Sequence, residues 1–236
     1  MSRFSYYPPI LAYHRIGALR GDHVPTISAE AFERQLRFLA RFRYQVISLQ
    51  DLVDRISNGR VIPRHCAVIT FDDGYEETVQ VASPLLRRFG FPAAVFVTPS
   101  EVGRPGFVTW QQVAAMAKDG FAVGNHTMNH SYLPLVEPGR LAEELVDSKR
   151  LIEERIGRPV TLFSYPVGGY TTHVQSLLKE AGYVGACTTN RAASVNGIDP
   201  FALRRIKITE RDGHPLIFWA KVSGYYDLFH RLEQPN

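Results

Sequence analysis

The sequence predicts an α/β fold, a single irregular (β/α) barrel of about seven parallel strands. Short apolar runs alternate with amphipathic stretches almost from end to end, the pattern of strand–helix units wound around a parallel sheet. The runs are rich in Val, Ile, Ala and Phe without polar alternation, as strands buried on both faces require. A length of 236 residues suits a barrel formed as one domain over 1–236.

Residues 10–13 form the first apolar run, and a Gly- and Pro-containing loop leads to Ser28. Ser28 is a good helix cap, with Phe32, Leu36 and Leu39 behind it at helical spacing. Residues 44–48 read as a strand and 49–57 as a helix stopped by Asn58-Gly59. The run 67–71 suits a strand buried on both faces; a helix then closes at 85–89 against Gly90, and 93–97 is the next strand. Thr109 caps a helix through Lys118 that stops at Gly120, followed by a strand at 121–123. Residues 141–156 make a long amphipathic helix, 161–165 a strand, 171–181 a helix and 183–188 a strand. A last strand is expected at 203–208. An aromatic segment from about 212 follows, helical from Pro215 and expected to pack Ile217, Phe218, Trp219, Val222, Tyr225, Tyr226 and Phe229 as core or barrel cover.

Composition narrows the function classes. Hydrophobic residues at 45% with charged residues at 21% exclude a disordered chain. The net charge of +4 is mild and dispersed, which fits an anionic glycan or peripheral contact with a membrane surface and gives no reason to expect nucleic acid. No run reaches the roughly 18 apolar residues of a membrane-spanning helix. The first residues show no leader pattern, so a cytoplasmic protein is expected. Cys66 and Cys187 lie in apolar runs and read as buried free thiols.

Catalytic residues of parallel barrels sit at the C-terminal ends of the strands. Thr70-Phe71-Asp72-Asp73-Gly74 follows one strand directly. Alone, it reads as well as a turn stapled by Asx hydrogen bonds. His126-Thr127-Met128-Asn129-His130 follows another, and histidines four apart can meet on one helical turn. Alone, they are as readily two surface histidines. Together the clusters supply two imidazoles and a carboxylate, a catalytic zinc set with a position left open for water.

With these motifs on the page, the chain resembles the NodB-type polysaccharide deacetylases of carbohydrate esterase family 4. TFDDG (70–74) and HTMNH (126–130) are similar to the first two family motifs in residue type, order and separation; GFAVGNHT (120–127) and Tyr-Pro-Val-Gly (165–168) extend the likeness. The resemblance implies a metal-dependent hydrolase that removes N-acetyl groups from N-acetylhexosamine in a polysaccharide or glycolipid precursor. Asp73, His126 and His130 would hold one divalent ion, zinc first, with cobalt, nickel or manganese able to fill the same donor set. Asp72 would be the general base, a backbone N–H near Val167 would steady the oxyanion, and Tyr165, Pro166, Val167, Gly168 and Tyr170 would contact substrate.

The chain departs from the family pattern twice. The third motif carries arginine two residues before its proline; here Ser164 stands there, and Arg205 is the candidate replacement, with a plain structural arginine as the alternative. No Leu-x-x-His motif for a general acid fits near the C-terminus, whereas Leu11-Ala12-Tyr13-His14 fits near the N-terminus. The chain thus resembles the circularly permuted branch of the family, with His14 as the acid; the alternative is a core histidine. Related ester, formyl or cyclic amide hydrolysis on the same site is the second enzymatic reading, and an inactive carbohydrate-binding barrel the third. Trp110 and Tyr132 could line a groove, Trp110 serving equally as a packing residue. His23, His65, His173, His214 and His230 lack any such context.

Overall fold

A computed structural model describes residues 6–18, 23–190 and 198–226. In chain order the elements are β1 (Ile10–Tyr13), β2 (Arg15–Ile16), β3 (Thr26–Ile27), α1 (Ala29–Arg41), β4 (Gln45–Val46), α2 (Leu49–Ser57) and β5 (Cys66–Phe71), then α3 (Ser83–Phe89), β6 (Ala94–Val97), α4 (Trp110–Lys118), β7 (Ala122–Asn125) and α5 (Ser148–Ile156). β8 (Leu162–Ser164), α6 (Thr172–Glu180), β9 (Gly185–Thr188), β10 (Leu203–Arg204), β11 (Ile206–Lys207) and α7 (Pro215–Val222) complete it. The sheet order is β10-β9-β8-β7-β6-β5-β1-β11, with β4 added beside β5, and every pairing within it is parallel.

The expected strand at 203–208 is in fact two. It breaks at Arg205, so that β10 pairs with β9 while β11 pairs with β1. One short segment thereby spans both ends of the sheet and nearly closes the barrel. The kink is the cost of serving two neighbours.

Strand periodicity explains what fills the barrel. Residues i and i+2 share a face, and Ile10, Val68, Ala94, Phe96, Leu162, Cys187 and Leu203 form one buried cluster with Leu49, Leu52 and Val53 of α2. The other phase, including Leu11, Ile69, Val95 and Phe163, packs with residues of the surrounding helices. α2 therefore plugs the lumen, and Gly185 lacks a side chain where one would strike Val53, 2.6 Å from an added Cβ. Continuing the inward phase towards the C-terminal ends passes from Val68 to Thr70 and Asp72, from Leu162 to Ser164, and from Leu203 to Arg205. The lumen turns polar at one mouth.

Capping follows the sequence closely. Ser28, Ser48, Thr109 and Thr171 accept backbone N–H bonds at the starts of α1, α2, α4 and α6, a contribution of about 1 kcal/mol each. The expected long helix at 141–156 differs: it opens with a wide π turn over Glu143–Asp147 before α5. That turn brings Glu144, Leu145 and Ser148 all to the buried side.

The C-terminal segment is only half as buried as expected. Phe218 and Val222 are buried, Phe218 edge-on to Phe38 of α1 at 5.5 Å. Ile217, Trp219 and Tyr225 are exposed by 44%, 50% and 38%, because a helix laid on an outer surface buries one stripe. Phe229 lies outside the described residues. Trp110 packs partly buried against the core, and both cysteines are buried and free. Among the described residues no helix is long and apolar enough to cross a membrane.

Candidate metal centre and active site

Register brings the chemistry together. Tyr13 pairs with Phe71 across β1 and β5, so the next residues, His14 and Asp72, leave adjacent strand tips side by side. Asn125 ends β7 opposite Val97 and precedes His126. Ser164 ends β8 opposite Cys187. Arg205 occupies the break between β10 and β11.

Asp73, His126 and His130 each offer a ligand atom, and these atoms lie within 4.8 Å of one another. Oδ1 of Asp73 stands 3.4 Å from Nε2 of His126 and 3.2 Å from Nε2 of His130. It is buried and has no hydrogen-bond partner among the described residues. Nδ1 of His126 lies 2.7 Å from the Ser164 carbonyl oxygen, which can only accept, so Nδ1 carries a proton and Nε2 is the ring atom turned to Asp73. Burial opposes charge on Asp73, yet the adjacent His126 and His130 imidazoles hold its carboxyl well below the usual range. The neighbouring Asp73 carboxylate in turn raises His130 above an ordinary histidine, against the opposing effect of burial. The donor set fits a divalent cation: two imidazoles, one carboxylate and an open side.

Backbone strain concentrates here. Among the described residues, the non-glycine positions with positive φ are Arg43, His65, Asp73, Thr127, His130 and Val167; Asp73, His130 and Val167 line this mouth, and Thr127 follows His126 directly. Such conformations cost of order 1–3 kcal/mol each and cluster at functional sites.

Asp72 is held by Arg205. Nη1 and Nη2 donate to Oδ1 and Oδ2 at 2.6 Å each, a two-pronged pair, and further bonds reach Ser164 Oγ at 2.8 Å and Thr70 Oγ1 at 3.2 Å. The guanidinium thus occupies the space that a short Ser164 leaves, above the Phe96 ring at 5.5 Å. Burial would raise the Asp72 carboxyl, but the Arg205 charge, with His126 nearby, holds it below its ordinary value. Nε2 of His14 stands 3.8 Å from Asp72 Oδ2. Its Nδ1 is buried and has no partner among the described residues. Burial pushes His14 below an ordinary histidine, with the Asp72 and Asp73 carboxylates pulling the other way.

A cavity of about 400 Å³ covers the mouth, within the ~300–1,000 Å³ usual for small-ligand sites. His14, Asp72, Asp73, His126, His130 and Arg205 line it, as do Tyr165, Val167 and Gly168. Val167 is 76% exposed on a 3₁₀ turn at φ 57°. Gly168 at φ 84° has no room for a side chain, since an added Cβ would lie 2.3 Å from Thr189 Oγ1. Pro166 is buried and is not among the lining residues, nor is Tyr170. The Tyr170 ring stacks on Tyr165 at 4.8 Å, so that face is already covered. His23, Val24, Pro25, Tyr75, Thr189 and Lys207 complete the lining without having stood out in the sequence.

A parallel barrel whose mouth gathers a His₂-carboxylate group able to hold a metal ion beside a clamped aspartate is compatible with a hydrolase. The sequence profile of the polysaccharide deacetylases matches residues 60–186, and the chain belongs to that family, as a hydrolase of the deacetylase class. It is 29% identical over 201 residues to YxkH of Bacillus subtilis, itself assigned to the polysaccharide deacetylases; the match covers 85% of this chain and 71% of that one. It is 36% identical over 117 residues to the peptidoglycan-N-acetylglucosamine deacetylase of Bacillus cereus, covering 49% of this chain and 52% of the relative. The fold matches the Streptococcus pyogenes deacetylase PplD, solved with acetate, at a TM-score of 0.82 and 24% identity over 91% of this chain and 97% of that one.

Proposed function

We propose that this protein removes N-acetyl groups from N-acetylhexosamine residues of a glycan or glycolipid, using one divalent cation held by Asp73, His126 and His130. The observation that carries the reading is the unpartnered, buried Oδ1 of Asp73 between two imidazoles, next to an aspartate clamped by Arg205. The N-acetylglucosamine deacetylase among the relatives supports the choice of bond and sugar class. When bound, the cation, zinc by the donor set, supplies Lewis acidity that polarises the acetamide carbonyl and acidifies water.

The chain's own groups do the rest. Arg205 keeps Asp72 ionised and fixes both carboxylate oxygens, so Asp72 accepts a proton from the attacking water. A backbone N–H near Val167, at the cavity wall, donates to the carbonyl oxygen as negative charge builds there. His14 opens onto the same cavity and returns a proton to the leaving amine nitrogen. Aligned acid–base groups of this kind contribute about 10²–10⁴-fold.

The reading is tested by incubating purified, zinc-loaded protein with N-acetylglucosamine oligomers and measuring acetate and free amine. Release of both in equal amounts, lost on Asp72→Asn, supports it; no release from any N-acetylated oligosaccharide or lipid-linked N-acetylhexosamine overturns it. Cell fractionation tests the expected cytoplasmic site of action.

A further inference from the structure

The two imidazoles of the cradle are oriented by different means. His126 is buried, and its Nδ1 is locked on the Ser164 carbonyl. The His130 side chain is 41% exposed, its residue sits at φ 56°, and among the described residues no hydrogen bond reaches its Nδ1. The usual device for fixing a metal-binding histidine, a bond to the second ring nitrogen, is missing there.

The residues on either side of His130 converge on one buried carboxylate. Glu144 is 1% exposed. Its Oε2 accepts from the Asn129 backbone N–H at 3.0 Å, and its Oε1 from Asn129 Nδ2 at 3.0 Å and Ser131 Oγ at 2.8 Å. Glu144 lies in the π turn, a local widening that recurs at functional sites. The turn itself is moored to the tip of β7. Asn125, immediately before His126, donates to Ser148 Oγ and Tyr183 Oη at 2.6 Å each; Ser148 Oγ then donates to the Glu144 carbonyl at 2.6 Å, and Tyr183 Oη to the Leu145 carbonyl at 2.8 Å. One polar network therefore ties the strand bearing His126 to the loop bearing His130.

We infer that Glu144 is the positioning residue for His130, holding the strained 127–131 loop in the conformation that presents this imidazole to the cation. The inference rests on His130 as a metal ligand, as proposed above. Removing the carboxylate frees a loop whose own backbone preference is to relax, and the third ligand is lost for part of the time.

The test is zinc affinity, by competition with a chromophoric chelator, on folded protein. Glu144→Ala is expected to lower affinity by about 10–100-fold, the range for supporting groups around a metal. Glu144→Gln, which keeps the size and an acceptor, is expected to recover much of the loss. Wild-type affinity in folded Glu144→Ala overturns the inference. Should that variant fail to fold, the double variant Asn129→Ala/Ser131→Ala decides, because it removes donors from the loop and leaves the helix intact; a tenfold loss supports the assignment and unchanged affinity refutes it. His130→Ala runs alongside. If it too binds zinc like wild type, the ligand assignment has failed; if it alone loses affinity, only the role of Glu144 has.

Discussion

Replacing Arg205 tests the polar mouth as a unit. Its side chain is 1% exposed and makes four bonds, two of them the prongs on Asp72. In Arg205→Ala the Asp72 carboxylate stays buried without its counter-charge, and breaking a buried pair from one side costs about 3–5 kcal/mol. For a chain of this size each kcal/mol shifts Tm by roughly 2–4 °C, giving a fall of about 6–20 °C. Arg205→Lys keeps a positive charge but cannot span both oxygens, Ser164 and Thr70 together. It should fold, retain metal, and lose on the order of 10²-fold in kcat from a misaligned Asp72. Calorimetry, metal analysis and acetate release read the three effects separately. An unchanged Tm in Arg205→Ala with unchanged kcat in Arg205→Lys would refute the idea that this arginine holds the base.

Other outcomes follow from the same geometry. Asp72→Asn should keep its zinc by elemental analysis while losing about 10²–10⁴-fold in kcat. The acid limb of stability follows in sign from Asp72, whose folded value lies below an aspartate's ordinary 3.8. Its contribution is full above 3.8 and is lost as pH falls through the lower folded value, so Asp72→Asn should flatten that part of an acid-unfolding titration followed by circular dichroism. His14→Ala should reduce kcat by about 10²-fold or more with zinc affinity unchanged; a loss of affinity instead would make it a ligand-supporting group. Gly168→Ala pushes a Cβ into Thr189 at a positive φ, displacing the Val167 turn, and should lower kcat more than it raises KM.

The barrel was legible because strands buried on both faces must be apolar throughout, and the runs around 67–71 and 93–97 are. Asp73, His126 and His130 were legible as candidates only jointly: each cluster alone reads as a turn or a surface pair, but both follow apolar runs, and the fold brings their ligand atoms within 4.8 Å of one another. Arg205 was harder to place. It lies 133 residues from Asp72 in sequence, and its contact depends on a strand break that closes the barrel, which no local pattern encodes. Glu144 left a faint trace, a carboxylate on the apolar stripe of Leu141, Leu145 and Ile152, yet its partners in another loop were invisible. Tyr170 was hard to read for the opposite reason. An aromatic after two glycines reads as a free stacking face, and only the fold shows that one of its faces lies on Tyr165. Val167 carries the clearest limit, since a β-branched side chain argues against the positive φ it adopts.

The most direct measurement is an anomalous difference map at the zinc edge from crystals of the zinc-loaded protein. The account predicts one strong peak about 2.0–2.2 Å from Asp73 Oδ1, His126 Nε2 and His130 Nε2 together. A zinc-loaded crystal with no peak there, or with its peak bound to other side chains, would contradict it.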